Sequence, residues 1–226
     1  MVLRNFDPIW DEIYESGQQL NKYPYTTIVS FLSSQTKPFQ DDGSRTKLLE
    51  IGCGAGNNIW FAAREGYDVT GIDASKAAIL FAKKRFDADG LKCNLKIGDF
   101  SALPFDDNLF DVGIERAALS QVPKQTVPLV LRELCRVLKR GAPLHVEIYS
   151  DRSTSRGEEN EGQLIDNVTG PFSGVGQIGF YSKAEIKRLF SENLLITSLR
   201  HTETQNLTSG PIEVQAFWSV DAVVEK

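Results

Sequence analysis

The stretch that decides the fold is residues 47–73, KLLEIGCGAGNNIWFAAREGYDVTGID. It opens on a short apolar run, Lys47 to Ile51, followed at once by Gly52. Glycines at 52, 54 and 56 let a backbone turn sharply and come close to a ligand. A helical segment follows from Asn58 to Glu65 and closes at Gly66, and Tyr67 to Asp73 reads as a second strand. Strand, glycine loop, helix and strand in immediate succession predict a parallel βαβ unit.

The same alternation continues outward. Ser75 is placed to cap a helix from Lys76 to Asp89, with Gly90 as its stop. A third strand is expected over Asn94 to Phe100, then a loop with Leu103, Pro104 and Phe105, then a fourth strand over Phe110 to Arg116. Val127 to Lys139 puts Leu131, Leu134, Cys135 and Leu138 on one helical face, with Gly141 just beyond, and Leu144 to Tyr149 is a fifth strand. This order predicts an α/β fold whose parallel sheet is covered on both faces. From Ser150 to Gly179 the pattern breaks into Gly, Ser, Asp, Glu and Asn, the composition of a lid, a binding loop or a disordered segment. Ser182-Lys-Ala-Glu185 is a capping box opening a helix to Phe190. Two β-rich segments, Leu194 to Glu203 and Val214 to Val224, are joined by a short loop with Gly210 and Pro211, which suits an antiparallel hairpin. The expected organisation is one domain over 1–226: an N-terminal helical segment (1–44), a core (45–150), a lid or substrate loop (151–181), and a C-terminal helix with a β-hairpin (182–226).

Composition narrows the function. With 226 residues, 41% of them hydrophobic, the chain can bury a substantial core. A net charge of −5 disfavours nucleic acid as a partner. Cys53, Cys93 and Cys135 form no CxxC pair, and only His145 and His201 could join them, so no metal site is expected. Free thiols suit a reducing compartment. The opening MVLRNFDPIWDE lacks the apolar core of a signal peptide, and no stretch is long enough for a membrane span, so a soluble cytoplasmic protein is expected.

Asp73 ends the second strand, where a carboxylate can accept hydrogen bonds from both hydroxyls of an adenosine ribose. Glycine loop plus acid is a nucleoside-binding arrangement, against the plainer alternative of a tight turn beside a solvated Asp. A dinucleotide fingerprint, GxGxxG, would need glycine at position 57, which is Asn57. Here the pattern is GxGxG, with Glu50 two positions before it. An acid beside the loop is tolerable where no pyrophosphate binds, and it suits the cationic sulfonium or ammonium of S-adenosyl-L-methionine.

Leu48-Leu-Glu-Ile-Gly-Cys-Gly-Ala-Gly-Asn57 resembles motif I of the class I S-adenosylmethionine-dependent methyltransferases of small-molecule type. Gly71-Ile-Asp-Ala-Ser75 is similar to the family's ribose-binding strand end, and Gly98-Asp-Phe100 with Leu103-Pro-Phe105 to the segment whose Asp meets the adenine amino group. Phe110-Asp-Val112 is similar to the start of its fourth strand, and Glu133, Arg136-Val-Leu-Lys139 and Gly141 to its last helix end. The resemblance runs over residues 45 to 150. It implies a Rossmann-like, seven-stranded, mainly parallel sheet with an antiparallel C-terminal hairpin and helices on both faces. It also implies S-adenosyl-L-methionine as cofactor, held by Tyr14, Glu50, Gly52, Cys53, Gly54, Gly56, Asn57, Asn58, Asp73, Ala74, Asp99, Phe100 and Glu115. Arg140 and Ala142 depart from the family's Pro and Gly, and Leu119-Ser-Gln-Val-Pro123 replaces a segment in which a histidine often serves as base.

For the acceptor side, Glu115 and Arg116 follow the fourth strand and are the candidate catalytic residues. Glu115 would face the methionine end and Arg116 an anionic acceptor group, or the two simply pair with each other or with surface charges. Tyr149, Ser150 and Asp151 point to the same mouth. His145, at the start of its strand, and His201, within the sixth, are read as packed histidines and not bases. Glu147 is mid-strand with no partner in view. Trp10, Ile13 and Tyr14 share a helical face that either docks on the sheet or brings Tyr14 or Tyr23 over the methionine moiety. The W…Y…G opening is loosely similar to small-molecule methyltransferases, including ones found with surface-polysaccharide genes. Phe172 to Tyr181 is the candidate lid.

The expected reaction is in-line methyl transfer to O, N or S of a small acceptor, anionic or sugar-like. The lack of an evident base favours an amine, thiol or carboxylate, or a base from the lid. Two rivals stand beside it: a non-catalytic S-adenosylmethionine-binding protein, and an NAD-type oxidoreductase, which Asn57 and the hairpin oppose.

Overall fold

The computed structural model describes residues 7–208 and 210–226. Residues 1–6, which begin the expected N-terminal helical segment, lie outside them. Two short helices, α1 (Ile9–Glu15) and α2 (Thr26–Gln35), precede the core. The core then runs β1 (Lys47–Ile51), α3 (Asn57–Glu65), β2 (Asp68–Asp73), α4 (Lys76–Ala88), β3 (Asn94–Ile97), β4 (Val112–Arg116), α5 (Val127–Val137) and β5 (Pro143–Tyr149). After β6 (Arg156–Glu159) and β7 (Ile165–Thr169) come α6 (Lys183–Leu189) and the hairpin β8 (Leu194–Asn206) and β9 (Glu213–Val224). No helix among the described residues is long and apolar enough to cross a membrane.

Seven strands form one sheet in the order β3-β2-β1-β4-β5-β9-β8. β1 to β5 are parallel, and β9 enters antiparallel between β5 and β8, as the hairpin reading requires. Alternation along the strands sends side chains to two cores. On one face Leu48, Val112 and Ile114 pack with Ile28, Phe31, Ile59 and Phe86 from α2, α3 and α4. On the other, Leu49, Ile51 and Val146 pack with Leu131, Leu134 and Ile186 from α5 and α6. Strand order reverses between β1 and β4, and the crevice at that switch point is where such sheets bind ligands.

The local signals act as their chemistry dictates. Gly56 (φ 75°) opens α3 and Gly66 (φ 106°) ends it, both left-handed. The Ser75 hydroxyl accepts from the Ala78 N–H to cap α4, and the Ser182–Glu185 capping box is complete. Three expectations change. The third strand stops at Ile97, whose partner Asp73 is the last residue of β2, and the Gly98 N–H makes the final rung to the Asp73 carbonyl at 3.0 Å. The fourth begins at Val112, since Phe110 makes only an isolated bridge to Leu138. The stretch from Ser150 to Gly179 is folded: β6 and β7 form an antiparallel ribbon, followed by a 3-10 turn over Gly170–Phe172. Its scattered apolar residues Val168, Phe172 and Ile178 are buried against Tyr149, which gives this polar stretch a small core of its own. The ribbon's bend is closed by the Asn160 side-chain Oδ1, which accepts from the Gly162 N–H at 2.9 Å and the Leu164 N–H at 3.1 Å.

The three polar residues set aside from sequence have partners across the sheet. His145 is fully buried, its Nδ1 2.6 Å from Asp221 Oδ1, its opposite residue on β9. His201 Nε2 is 2.8 Å from the Ser150 hydroxyl, and its ring packs on Trp218. Glu147 lies beside Arg116 in the β4–β5 register, 3.3 Å away, and accepts from the Ser219 hydroxyl at 3.1 Å.

Candidate active site

A cavity of about 330 Å³ opens at the carboxyl ends of the central strands. Its floor is the loop between β1 and α3. Gly52 (φ 61°) and Gly54 (φ 50°) are left-handed, and neither tolerates a side chain: a Cβ on Gly52 would collide with the Ala118 methyl, and one on Gly54 with the Tyr14 hydroxyl. Asp73, at the end of β2, ties this loop to the next turn. Its Oδ2 accepts from the Gly54 N–H and its Oδ1 from the Ser75 N–H, each at 2.8 Å. Burial nevertheless raises its pKa to about 6, outweighing those two donors.

Glu50 reaches the cavity from β1. Its Oε1 accepts from Asn58 Nδ2 at 2.7 Å, while the buried Oε2 has no partner among the described residues. Burial pushes its pKa up to about 8. Asn58 Oδ1 in turn accepts from the Tyr25 N–H at 3.1 Å, and Asn57 Nδ2 donates to the Tyr23 carbonyl at 3.1 Å. The two asparagines therefore fasten the segment before α2 to the loop. Helix α1 is strapped across from the other side. Asp11 accepts from the Ser75 hydroxyl at 2.6 Å and from the Ala77 N–H at 3.1 Å, and Tyr14 lies over the glycines, its phenol pKa driven up by burial.

The far wall is aromatic and carries one cation. Arg116 ends β4, and Ala117 after it is left-handed (φ 63°), which turns the chain so that Ala118 packs over Gly52. The Arg116 guanidinium lies 3.8 Å from the Tyr25 ring centre and 5.0 Å from that of Phe217. Tyr149, from β5, stacks on Phe172 at 4.3 Å and packs edge-on to Phe217 at 5.1 Å. Burial raises the Tyr149 phenol to about 12, although Arg116 pulls the other way.

The structure brings Tyr14, Glu50, Gly52, Cys53, Gly54, Asn57, Asn58, Asp73, Ala74, Phe100 and Arg116 to the cavity wall. Gly56, Asp99 and Glu115 stand elsewhere. Gly56 serves as the cap of α3, where a Cβ would press on Ala82. Asp99 lies beyond β3 and accepts from the Ser101 N–H at 2.8 Å. Glu115 neighbours Arg116 on a strand, so the two face opposite sides and do not pair. Its Oε1 accepts from the Leu119 N–H at 2.9 Å, supporting the 3-10 turn Ala118–Gln121, and burial lifts its pKa to about 8. Tyr23 is exposed, and Tyr25 takes the inward place. Trp10 does more than dock its helix: it lines the cavity, and its indole Nε1 is buried without a partner among the described residues. Sequence reading missed Tyr25, Gln121, Gln215 and Phe217. The signal for the last two was the two-residue spacing on β9, which puts both on one face.

Residues 48–141 match the family of methyltransferase domains. Over those residues the core is a methyltransferase domain. The family's cofactor is S-adenosyl-L-methionine. The chain is 33% identical over 144 residues to 24-methylenesterol C-methyltransferase 3 of Arabidopsis thaliana, covering 62% of this chain and 39% of that one. It is 30% identical over 126 residues to norajmaline N-methyltransferase of Rauvolfia serpentina, covering 54% and 42%. A crystal structure of an S-adenosylmethionine-dependent methyltransferase from Methanosarcina mazei superposes with a TM-score of 0.67, covering 90% of this chain and 100% of that one at 22% identity, a likeness of fold. The chain spans 39–63% of the length of the first three curated relatives it matches.

Proposed function

We propose that this chain transfers a methyl group from S-adenosyl-L-methionine to a small-molecule acceptor bound against the aromatic wall. The observation that carries the reading is Glu50. A buried carboxyl group with a free oxygen, facing a glycine loop, suits a cation and repels the pyrophosphate of a dinucleotide. The rest of the wall fits the same molecule. Asp73 still has lone pairs for a ribose diol beside its two backbone donors, and the left-handed turns at Gly52 and Gly54 keep the loop backbone at the cavity wall. The cofactor supplies a methyl already activated on a sulfonium, so the protein's work is to orient, desolvate and bind.

Each part of the wall has a task in that scheme. Asp73 holds the ribose and Glu50 the cationic methionine end, while Tyr14 closes over the loop and excludes water. The segment 151–181 serves as the cover of the acceptor half through Phe172. No histidine lines the cavity, and Tyr149 is held protonated, so an acceptor that must lose a proton finds little help here. That favours an acceptor atom nucleophilic as it stands.

Calorimetry with S-adenosylhomocysteine and with NADH tests the cofactor side, and transfer of labelled methyl to a panel of acids, amines and thiols tests the reaction. The reading expects tight binding of the first ligand alone, and label in one acceptor class. Binding of NADH in its place would refute the cofactor assignment. Binding of S-adenosylhomocysteine with no labelled product from any panel member would make this a cofactor-binding protein without turnover.

A further inference from the structure

Among the described residues, Arg116 is the one cationic side chain on the cavity wall. Its guanidinium lies against the Tyr25 and Phe217 rings, contacts that shed water from it and favour hydrogen bonding along its edges. One edge is turned to Glu147, whose Oε2 is 3.3 Å from Nε, yet Nε makes no hydrogen bond among the described residues. Glu147 is shared with the Ser219 hydroxyl. The side chain keeps 20% of its surface accessible, and that surface faces the cavity. A guanidinium has five donors in a fixed planar fork, and a desolvated one gains most from a planar anion that takes two of them at once.

We infer that Arg116 is the specificity-determining residue for the acceptor, and that it seats a carboxylate on a flat, apolar body held between Tyr25, Tyr149, Phe172 and Phe217. The inference rests on the methyltransferase reading of the cavity. Three features set the ligand class. One cation, half-neutralised by Glu147, matches a monoanion better than a phosphate dianion. The planar fork matches a carboxylate edge-on. The four rings match an unsaturated or aromatic body better than a sugar, whose hydroxyls would lie against ring faces on this side of the cavity. The cofactor also carries a carboxylate, so the experiment must separate the two sources of that group.

Three apolar acids (benzoate, phenylacetate and cinnamate) and their amides are titrated into the protein loaded with S-adenosylhomocysteine. Wild type is compared with Arg116→Gln. Because that change leaves Glu147 buried without its cation, Arg116→Gln combined with Glu147→Gln is measured beside it. At least one acid is expected to bind about tenfold or more tighter than its amide in wild type, and both variants are expected to lose that preference. S-Adenosylhomocysteine affinity is expected to stay within about threefold. Equal binding of acids and amides, or binding of none, overturns the inference while the cofactor reading stands. A loss in S-adenosylhomocysteine affinity not seen with 5′-methylthioadenosine, which lacks the carboxylate, overturns it too, by assigning Arg116 to the cofactor. Failure of S-adenosylhomocysteine to bind wild type refutes the cofactor reading itself, and this inference falls with it.

Discussion

Replacing Asp73 with Ala tests the core of the site. In the proposed complex its carboxylate accepts from both ribose hydroxyls. A hydrogen bond to a charged group contributes about 1.5–3 kcal/mol, so losing two costs about 3–6 kcal/mol, or roughly 10²- to 10⁴-fold in affinity. The same carboxylate holds the Gly54 and Ser75 N–H groups, so part of any loss could come from a disturbed loop. Varying the ligand separates the two. In wild type, S-adenosylhomocysteine lacking the 2′-hydroxyl should bind about 10- to 100-fold more weakly, and in Asp73→Ala the two ligands should bind within about threefold of each other. The pH dependence follows from the raised pKa. Ribose donors favour the ionised carboxylate, whose free-state pKa is about 6. Affinity should therefore be full above pH 7 and fall as pH drops through 6, with a slope of at most about tenfold per unit. Calorimetry at a series of pH values reads all of this. An unchanged affinity in Asp73→Ala, or an equal hydroxyl penalty in both proteins, would refute the ribose assignment.

Other positions give separable readouts. Glu50→Gln keeps the acceptor for Asn58 but removes a buried charge; it should raise the melting temperature of the free protein at pH 8.5 and weaken S-adenosylhomocysteine binding about tenfold or more, checked by calorimetry and thermal denaturation. Gly54→Ala forces a Cβ at φ 50° into the Tyr14 hydroxyl; a cost of about 1–2 kcal/mol should lower the melting temperature by roughly 2–8 °C, partly restored by adding Tyr14→Phe. Ser182→Ala opens the α6 capping box away from the cavity, and should cost about 1 kcal/mol in denaturant unfolding with no change in cofactor affinity.

The parts legible from sequence are those whose determinants are local. Gly52, Gly54 and Gly56 sit between two short apolar runs, and that alone places β1, α3 and β2 to within a residue or so. Glu50 and Asp73 flank the loop in sequence, so their meeting there needs no knowledge of the rest. Tyr25 and Phe217 are almost two hundred residues apart and meet only through Arg116, a contact no local pattern encodes. The same is true of the odd polar strand residues. Glu147 and His145 are answered by Arg116 and Asp221, which stand opposite them only once the register is set. The ribbon after β5 was hidden for a different reason. Its buried residues Leu164, Val168 and Phe172 fall four apart, a spacing that does not announce a strand, and Val168, Phe172 and Ile178 gain their burial from Tyr149 on another element.

Stability and binding pull apart at this cavity, and the carboxyls show how. Glu50 and Asp73 have folded-state pKa values near 8 and 6, above their ordinary values, so the folded chain keeps protons that the unfolded chain gives up. An acid raised in this way favours folding most at low pH, and that advantage is lost as pH rises from the ordinary value to the folded one. Glu115, raised to about 8 while supporting its turn, adds to the same trend. The free protein should therefore lose stability between about pH 4 and 8, with two of the three groups facing the ligand. A cation against Glu50 and a diol against Asp73 favour the ionised forms and offset that loss. The thermal shift produced by S-adenosylhomocysteine should accordingly grow with pH over the window in which the free protein weakens, as expected where a fold holds acids in readiness for a ligand.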